Sequence, residues 1–531
     1  MRLAEGIVEL LLDEGVDLVF GNPGTTELPF VDALCSDDRL RYVLGVHEGP
    51  LVSMADGYGR ATGRTPFVNL HVAAGTANGL IGMLNAKRSR VPMVVMAGQQ
   101  DSRHLIQDPM LSGDLVAIAA AGAKWSVEAR RAEDVPVLLR RAFREAAQPP
   151  EGPVFISVPM DLFEVELPTR IPVRSSLVET APSFDPGPIS EQLARASRLA
   201  IVAGDGVGRS GAVSALVRVA ECLAADVYHA PMHDRLNFPM NHPAYRGMLL
   251  PENEKIRRVL DGYDAVLFAG VRAFEPHHFS PQQAVDPDTV VIQIDEDPGV
   301  IGRNYPATWG LVGPIGPILD VIAERLGTPL GGAVVPDESP ALPAGTAPFD
   351  AEDAARSFAA ALPIGSLLVE EAITTGLLVR RHLRLAEPGS FQHTIGGGLG
   401  WGIGAAVGLA LGRPDRPVFA ALGDGCATFG VQGLWSAAHE KVSATFVVFN
   451  NAEYRTLKQT LTGMRAGEQR GFLGMDLSTP RLHWSQIAEG FGVASRSVTS
   501  LDELGSVISG RRAGDEPLLI EVPVRGLADQ R

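Results

Sequence analysis

The sequence predicts an α/β chain of three domains, each a mostly parallel sheet flanked by helices, and three observations carry that expectation. Short apolar runs of strand length alternate with helical patterns along the chain, as βαβ units do. Two stretches, about 168–190 and about 327–350, are rich in Pro, Gly and Ser and read as linkers. At 531 residues the chain is too long for one core, and the two breaks leave blocks of ordinary domain size. The expected domains are 1–170, 188–328 and 350–531, with linkers at about 170–188 and 328–350.

In the first block VDLVFG (16–21), RYVLGV (41–46), TPFVNLHV (65–72), PMVVMAG (92–98) and PVFISVP (153–159) read as strands with amphipathic helices between them. The clear strands of the second are SRLAIVAGDG (197–206), AVLFAGV (265–271) and TVVIQIDEDP (289–298). Those of the third are SLLVEE (366–371), VFAAL (418–422), ATFVVFN (444–450) and PLLIEVP (517–523), with GVQGLWSAAH (430–439) as a helix.

Composition narrows the function classes. A formal charge of −16 with no basic run argues against nucleic acid and anionic membranes as partners. Cys35, Cys222 and Cys426 form no CxxC pair, so neither a disulfide framework nor a zinc site is indicated. Residues 1–17 carry Glu5, Glu9 and Asp13 within an apolar helical stripe, which makes an amphipathic first helix and not a secretory signal. No run of 18 apolar residues occurs, and a cytoplasmic protein is expected.

The most specific signal is Gly423-Asp424-Gly425, then 24 residues (426–449), then Asn450-Asn451. Both clusters follow predicted strands, so they meet at one edge of a parallel sheet, where such sheets bind ligands. Asp424 offers a carboxylate oxygen and Asn451 an amide oxygen, with a backbone carbonyl just beyond. That set, completed by water and phosphate oxygens, suits magnesium. The glycines allow backbone amides to approach a diphosphate closely. In the first block, GNPGTTELPF (21–30), HEGPLVSMADGYGRATG (47–63) and NLHVAAGT (69–76) also follow predicted strands. They bring Thr25, Thr26, Glu48 and His71 to the corresponding edge.

These segments, with GQQ (98–100) and GGGLGWGIGAAVGLALG (396–412), resemble the benzoylformate decarboxylase-like branch of the thiamine-diphosphate-dependent enzymes over most of the chain. The resemblance implies pyrimidine-binding, central Rossmann-like and diphosphate-binding domains in that order. It also implies non-oxidative decarboxylation of a small-molecule 2-oxo acid to an aldehyde. A carboligase of the acetolactate synthase type, with a second carbonyl compound as acceptor, shares the same residues. Carried over by position, Glu48 matches the glutamate that bonds the aminopyrimidine; a buried carboxyl can share a proton with a ring nitrogen. Gly397 matches the carbonyl that accepts from the cofactor amino group, and Leu399 the wedge that bends the cofactor. Gly423, Asp424, Gly425, Cys426, Ala427, Asn451 and Tyr454 match its diphosphate side. Asp424, Asn451 and the Glu453 backbone carbonyl match the ligands of Mg2+ or Ca2+. His71 and His277 match the proton-shuttling pair, with His278 and His104 as rivals, and Thr25 the hydroxyl that meets the substrate carboxylate. Relatives complete the site at a subunit interface, so a homodimer or homotetramer is expected.

Aligned on the asparagine doublet, Leu457 falls on an apolar pocket position and Thr460 where an aromatic wall stands in the phenyl-specific relative, which admits a bulkier or more polar acyl group. Arg455 and Lys458 are placed to meet a second anionic group, or form a solvated helix face. In the middle block, Gly206-x-Gly208-x-x-Gly211 followed by Asp226 fits a dinucleotide fingerprint and raises an FAD- or NAD-dependent oxidoreductase as the competing class. The branch resembled leaves that domain empty, so no flavin is expected.

Overall fold

The computed structural model describes residues 1–167, 171–177, 182–328, 342–465 and 471–527. Most of the second expected linker, 329–341, lies outside the described residues. Three parallel sheets organise the chain. The first contains β1 (Leu18–Gly21), β2 (Arg41–Leu44), β3 (Phe67–His71), β4 (Met93–Gln99), β5 (Trp125–Glu128) and β6 (Pro153–Pro159), in the order β2-β1-β3-β4-β6-β5. The second contains β7 (Leu199–Ala203), β8 (Asp226–His229), β9 (Tyr245–Met248), β10 (Ala265–Ala269), β11 (Val290–Asp295) and β12 (Trp309–Val312), in the order β12-β11-β10-β7-β8-β9. After β13 (Leu367–Glu371) and the short β14 (Phe391–His393) come β15 (Val418–Gly423), β16 (Ala444–Asn450), β17 (Ala494–Ser497) and β18 (Leu518–Pro523); the third sheet runs β13-β15-β16-β18-β17. Central strands such as β4, β6, β10 and β16 are buried along their whole length, as strands covered by helices on both faces must be.

The sheets fall into two compact units: Met1–Ser176 with Leu342–His382 and Gly396–Arg531, and Leu177–Ala341 with Leu383–Ile395. In the first unit, the helix Glu48–Thr62 packs against the helix Trp401–Gly412. The contact is backbone on backbone. A Cβ on Gly57 would lie 2.1 Å from the Ala405 carbonyl oxygen, and one on Gly408 would lie 1.8 Å from that of Met54. At the seam the Trp401 indole donates to Asp56 Oδ2 at 3.0 Å, Arg60 pairs with Asp56, and the Arg60 guanidinium stacks 5.0 Å from the Trp401 ring. Asp56 and Arg60 side chains are fully buried, where ionic groups persist only when paired. Among the described residues, no helix is long and apolar enough to cross a membrane.

The second unit corrects the dinucleotide reading. Gly206 and Gly208 do follow β7, but Asp226 opens β8, and Ala200 near the start of β7 is its register partner. It therefore lies at the opposite end of the sheet from the glycine turn, out of reach of a ribose bound there. Its carboxylate accepts from Tyr263 at 2.6 Å and pairs with Arg246 at 2.7 Å. The glycines serve packing instead: a Cβ on Gly206 would meet the Gly270 backbone at 2.7 Å, and one on Gly208 would meet Asn237 Oδ1 at 2.6 Å.

Candidate active site

Neighbouring strands β2, β1 and β3 end in the residues expected to act on a cofactor ring and a substrate. Glu48 starts its helix directly after β2 and is almost wholly buried. Each of its oxygens accepts one amide hydrogen: Asn22 Nδ2 donates to Oε1 and Asn78 Nδ2 to Oε2, both at 3.1 Å. His71 ends β3 and leads into the helix Val72–Arg88. Its Nδ1 lies 3.0 Å from Glu27 Oε2 and 3.2 Å from Thr26 Oγ1. Glu27 is completely buried, accepts from the Gly24 N–H at 3.1 Å and bonds the Thr26 hydroxyl. A carboxylate at Nδ1 places the proton on that nitrogen and leaves Nε2 for proton exchange. Sequence reasoning passed over Glu27; its only mark is an acid two residues after Thr25 in the Gly-Thr-Thr-Glu turn. Thr25 itself is exposed.

The third sheet brings the other half together, since β13, β15 and β16 are adjacent. Asp424 follows β15 and Asn451 follows β16. Asp424 is buried, and its Oδ2 has no hydrogen-bond partner. Burial pushes its carboxyl up to about 6, against the pull of backbone N–H groups of Gly425, Ala452 and Asn451. An anionic oxygen withdrawn from water without a donor fits a divalent cation. Among the described residues no group of three His, Cys, Asp or Glu could hold a metal. Asn451 Oδ1 accepts from the Glu453 N–H at 3.0 Å, which anchors that turn. The Glu453 side chain is committed elsewhere, to Lys458 Nζ and the Leu527 N–H, each at 2.6 Å. Tyr454 packs on Gly425, where a Cβ would come within 2.8 Å of its ring. Asn450 is structural: it accepts from Ala452 N–H at 3.0 Å and donates to Glu521 at 2.7 Å.

Arg455 and Lys458 neither stand ready for a second anion nor form a solvated helix face. Lys458 is buried and bonded to Glu453 and Asp476, while Arg455 is buried and donates to the Arg525 carbonyl at 2.7 Å. Their charges serve the fold. Leu457 on the same helix is exposed and Thr460 half-buried. His104 is partly exposed, 4.0 Å from Asp101. In the second unit His277 is exposed and its Nδ1 lies 3.1 Å from His278 Nε2.

Gly397 adopts φ +78°, and a Cβ there would meet nothing within 4 Å; Leu399 is half-buried. The helix that follows is capped by Glu371, the last residue of β13. Gly400 and Trp401 N–H groups donate to Oε1 at 2.8 and 3.2 Å, and Gly402 N–H to Oε2 at 2.8 Å. This helix N-terminus already holds an internal carboxylate, so a diphosphate has to be cradled elsewhere. Burial raises the Glu371 carboxyl to about 8, with those three N–H groups opposing. An acid raised in this way binds its proton more tightly folded than unfolded, so stability falls as pH climbs from the ordinary carboxylate range through about 8. Glu371→Gln carries no charge at any pH. Its melting temperature, measured without cofactor, should gain on wild type as pH rises from about 5 to about 8. Parallel curves would show that Glu371 does not titrate there.

Comparisons with known proteins agree with this layout. The chain matches the thiamine pyrophosphate enzyme N-terminal TPP binding domain over residues 1–117, the central domain over 188–322 and the C-terminal TPP binding domain over 374–522. It is 35% identical over 526 residues to a benzoylformate decarboxylase of Pseudomonas aeruginosa, covering 97% of this chain and 98% of that protein. It is 26% identical over 538 residues to an acetolactate synthase large subunit of Haemophilus influenzae, covering 93% of each. The solved thiamine diphosphate-dependent 4-hydroxybenzoylformate decarboxylase of Rhodococcus jostii RHA1 superposes with a TM-score of 0.91 at 33% identity over 99% of both chains. With all three domain families in order and the cofactor motifs standing at the carboxyl edges of two sheets, the chain belongs to the thiamine-diphosphate-dependent enzymes, in their benzoylformate decarboxylase-like branch.

Proposed function

We propose that the chain decarboxylates a 2-oxo acid with an aryl or comparably bulky acyl group, releasing carbon dioxide and an aldehyde. The observation that carries this reading is Glu48, buried between two amide donors beside the Glu27–His71 pair. It is supported by near full-length similarity to decarboxylases of aryl 2-oxo acids. Asp424, Asn451 and the Glu453 carbonyl would hold Mg2+ or Ca2+, and the backbone of Gly423–Ala427 with Tyr454 the diphosphate. Gly397, Leu399 and Glu48 would hold the pyrimidine. When bound, thiamine diphosphate supplies an electron sink for the carbanion left by loss of carbon dioxide. The protein's part is proton traffic and positioning. Glu48 holds a proton at the pyrimidine nitrogen. His71, fixed by Glu27, returns a proton to the product carbon through Nε2. Thr25 donates to the substrate carboxylate. A second copy completes the site, which makes the protein a homodimer or homotetramer, and we place it in the cytoplasm.

The test is incubation with thiamine diphosphate, magnesium and a panel of aryl, branched and polar 2-oxo acids, with carbon dioxide, aldehyde and acyloin measured together. Carbon dioxide and aldehyde in equal amounts, greatest for aryl acids, is the expected result. Acyloin as the main product would favour the carboligase reading, and no carbon dioxide from any acid would sink both.

A further inference from the structure

Gly398 lies between the two cofactor-loop residues, Gly397 and Leu399, and one side chain holds it on both sides. Its N–H donates to Asn85 Oδ1 at 3.0 Å, and its carbonyl accepts from Asn85 Nδ2 at 2.9 Å. Asn85 is fully buried in the helix Val72–Arg88, the helix that His71 opens. The fit depends on the glycines: a Cβ on Gly396 would fall 2.3 Å from Asn85 Oδ1, and one on Gly398 would fall 2.9 Å from it. A primary amide offers one donor beside one acceptor, so it pairs with a residue's own N–H and C=O as a neighbouring strand would.

The geometry has a directional result. The peptide joining Gly397 to Gly398 is trans and planar, so its C=O and N–H point in opposite directions. Fixing the Gly398 N–H on Asn85 therefore aims the Gly397 carbonyl away from Asn85. No side chain of Gly397 can do this, and its φ of +78° is a region that glycine occupies freely. Glu371 fixes the chain two residues beyond Gly398, at Gly400.

We propose that Asn85 is a positioning residue, whose amide sets the direction of the Gly397 carbonyl and thereby the seat of the cofactor's amino group, without touching cofactor or substrate. This rests on the cofactor reading given under Proposed function. Asn85→Asp keeps the shape but replaces the donor facing the Gly398 carbonyl with an acceptor, and Asn85→Ala removes both bonds. Four quantities are measured: melting temperature without cofactor, thiamine diphosphate affinity with magnesium by calorimetry, near-ultraviolet circular dichroism of the bound aminopyrimidine, and turnover at saturating cofactor. Misplacement of about 1 Å costs on the order of 10²-fold. Both variants should therefore fold, bind cofactor within about tenfold of wild type, and lose turnover by about that factor with an altered dichroism band. Turnover within about twofold of wild type and an unchanged band would mean that Asn85 only packs the seam, overturning the proposal. So would a failure of both variants to fold. Wild-type protein that neither binds the cofactor nor decarboxylates any acid overturns the cofactor reading itself. A functional wild type with unaffected variants overturns only the role of Asn85.

Discussion

Glu48→Gln should lose turnover by a factor of about 10² to 10⁴, the usual worth of a positioned acid–base group, while folding and cofactor affinity change little. Glutamine keeps the length and the buried volume but cannot release a proton to the pyrimidine nitrogen. Locally the change is small. Asn22 and Asn78 each donate to one Glu48 oxygen. One of those amides needs only to rotate so that its own oxygen meets the new NH2 group. One exchanged neutral hydrogen bond alters stability by about 1 kcal/mol. Steady-state turnover, set beside a thermal melt and a cofactor titration, separates the outcomes. Turnover within a few fold of wild type would remove Glu48 from the chemistry. Wholesale loss of cofactor binding would make it an anchor instead.

Asp424→Asn should act with opposite signs on two measurements. Without cofactor, the wild-type carboxyl is buried with one oxygen unpartnered and burial disfavours its charge. A neutral amide of the same shape relieves that penalty, so the cofactor-free melting temperature should hold or rise. The same change replaces the one anionic oxygen of the proposed metal set with a neutral one, and hard cations depend on anionic oxygen. Magnesium-dependent binding of thiamine diphosphate should weaken by on the order of 10²-fold or more, and the thermal protection that cofactor and metal give wild type should vanish. Calorimetric titrations with and without magnesium, paired with melts, read both effects. A variant still protected by magnesium as fully as wild type would show that the cation sits elsewhere.

The fold was legible where strands are buried on both faces. Segments such as Val418–Gly423 and Ala444–Asn450 are continuous apolar runs because helices cover both sides, and they were readable for that reason. The strands missed were mostly edges: Trp125–Glu128, Tyr245–Met248, Trp309–Val312 and Ala494–Ser497 are short and only partly buried, so no apolar run marks them. Asp226–His229 was also missed, and that omission sustained the decoy. Without the strand, Asp226 looked well spaced from the glycines; with it, the residue stands at the wrong end of the sheet. The site divides similarly. Glu48, Asp424 and Asn451 follow strands within recognisable motifs. Glu27, Asn85 and Glu371 act through partners 44, 313 and 29 residues away, and no local pattern announces such pairings. Lys458 misled in another way: a lysine on a helix flanking the doublet reads as a contact for a second anion or as part of a solvated face, and the fold had already supplied two carboxylates.

The glycine-lined crossing of the two long helices has a corollary for how such a chain can diversify. Glu48 opens one helix and the coenzyme loop runs into the other, so their offset is measured off by peptide against peptide. At Gly57 and Gly408 no intervening side chain can be lengthened or trimmed to retune it. Any replacement of Gly57 or Gly408 adds volume where carbonyl oxygens already stand, and drift there has no tolerated direction. Leu457, which aligns with a pocket position, is different: it stands half in solvent and meets no such backbone constraint. New acyl preferences are therefore to be sought at side chains such as Leu457, over a centre inherited without play.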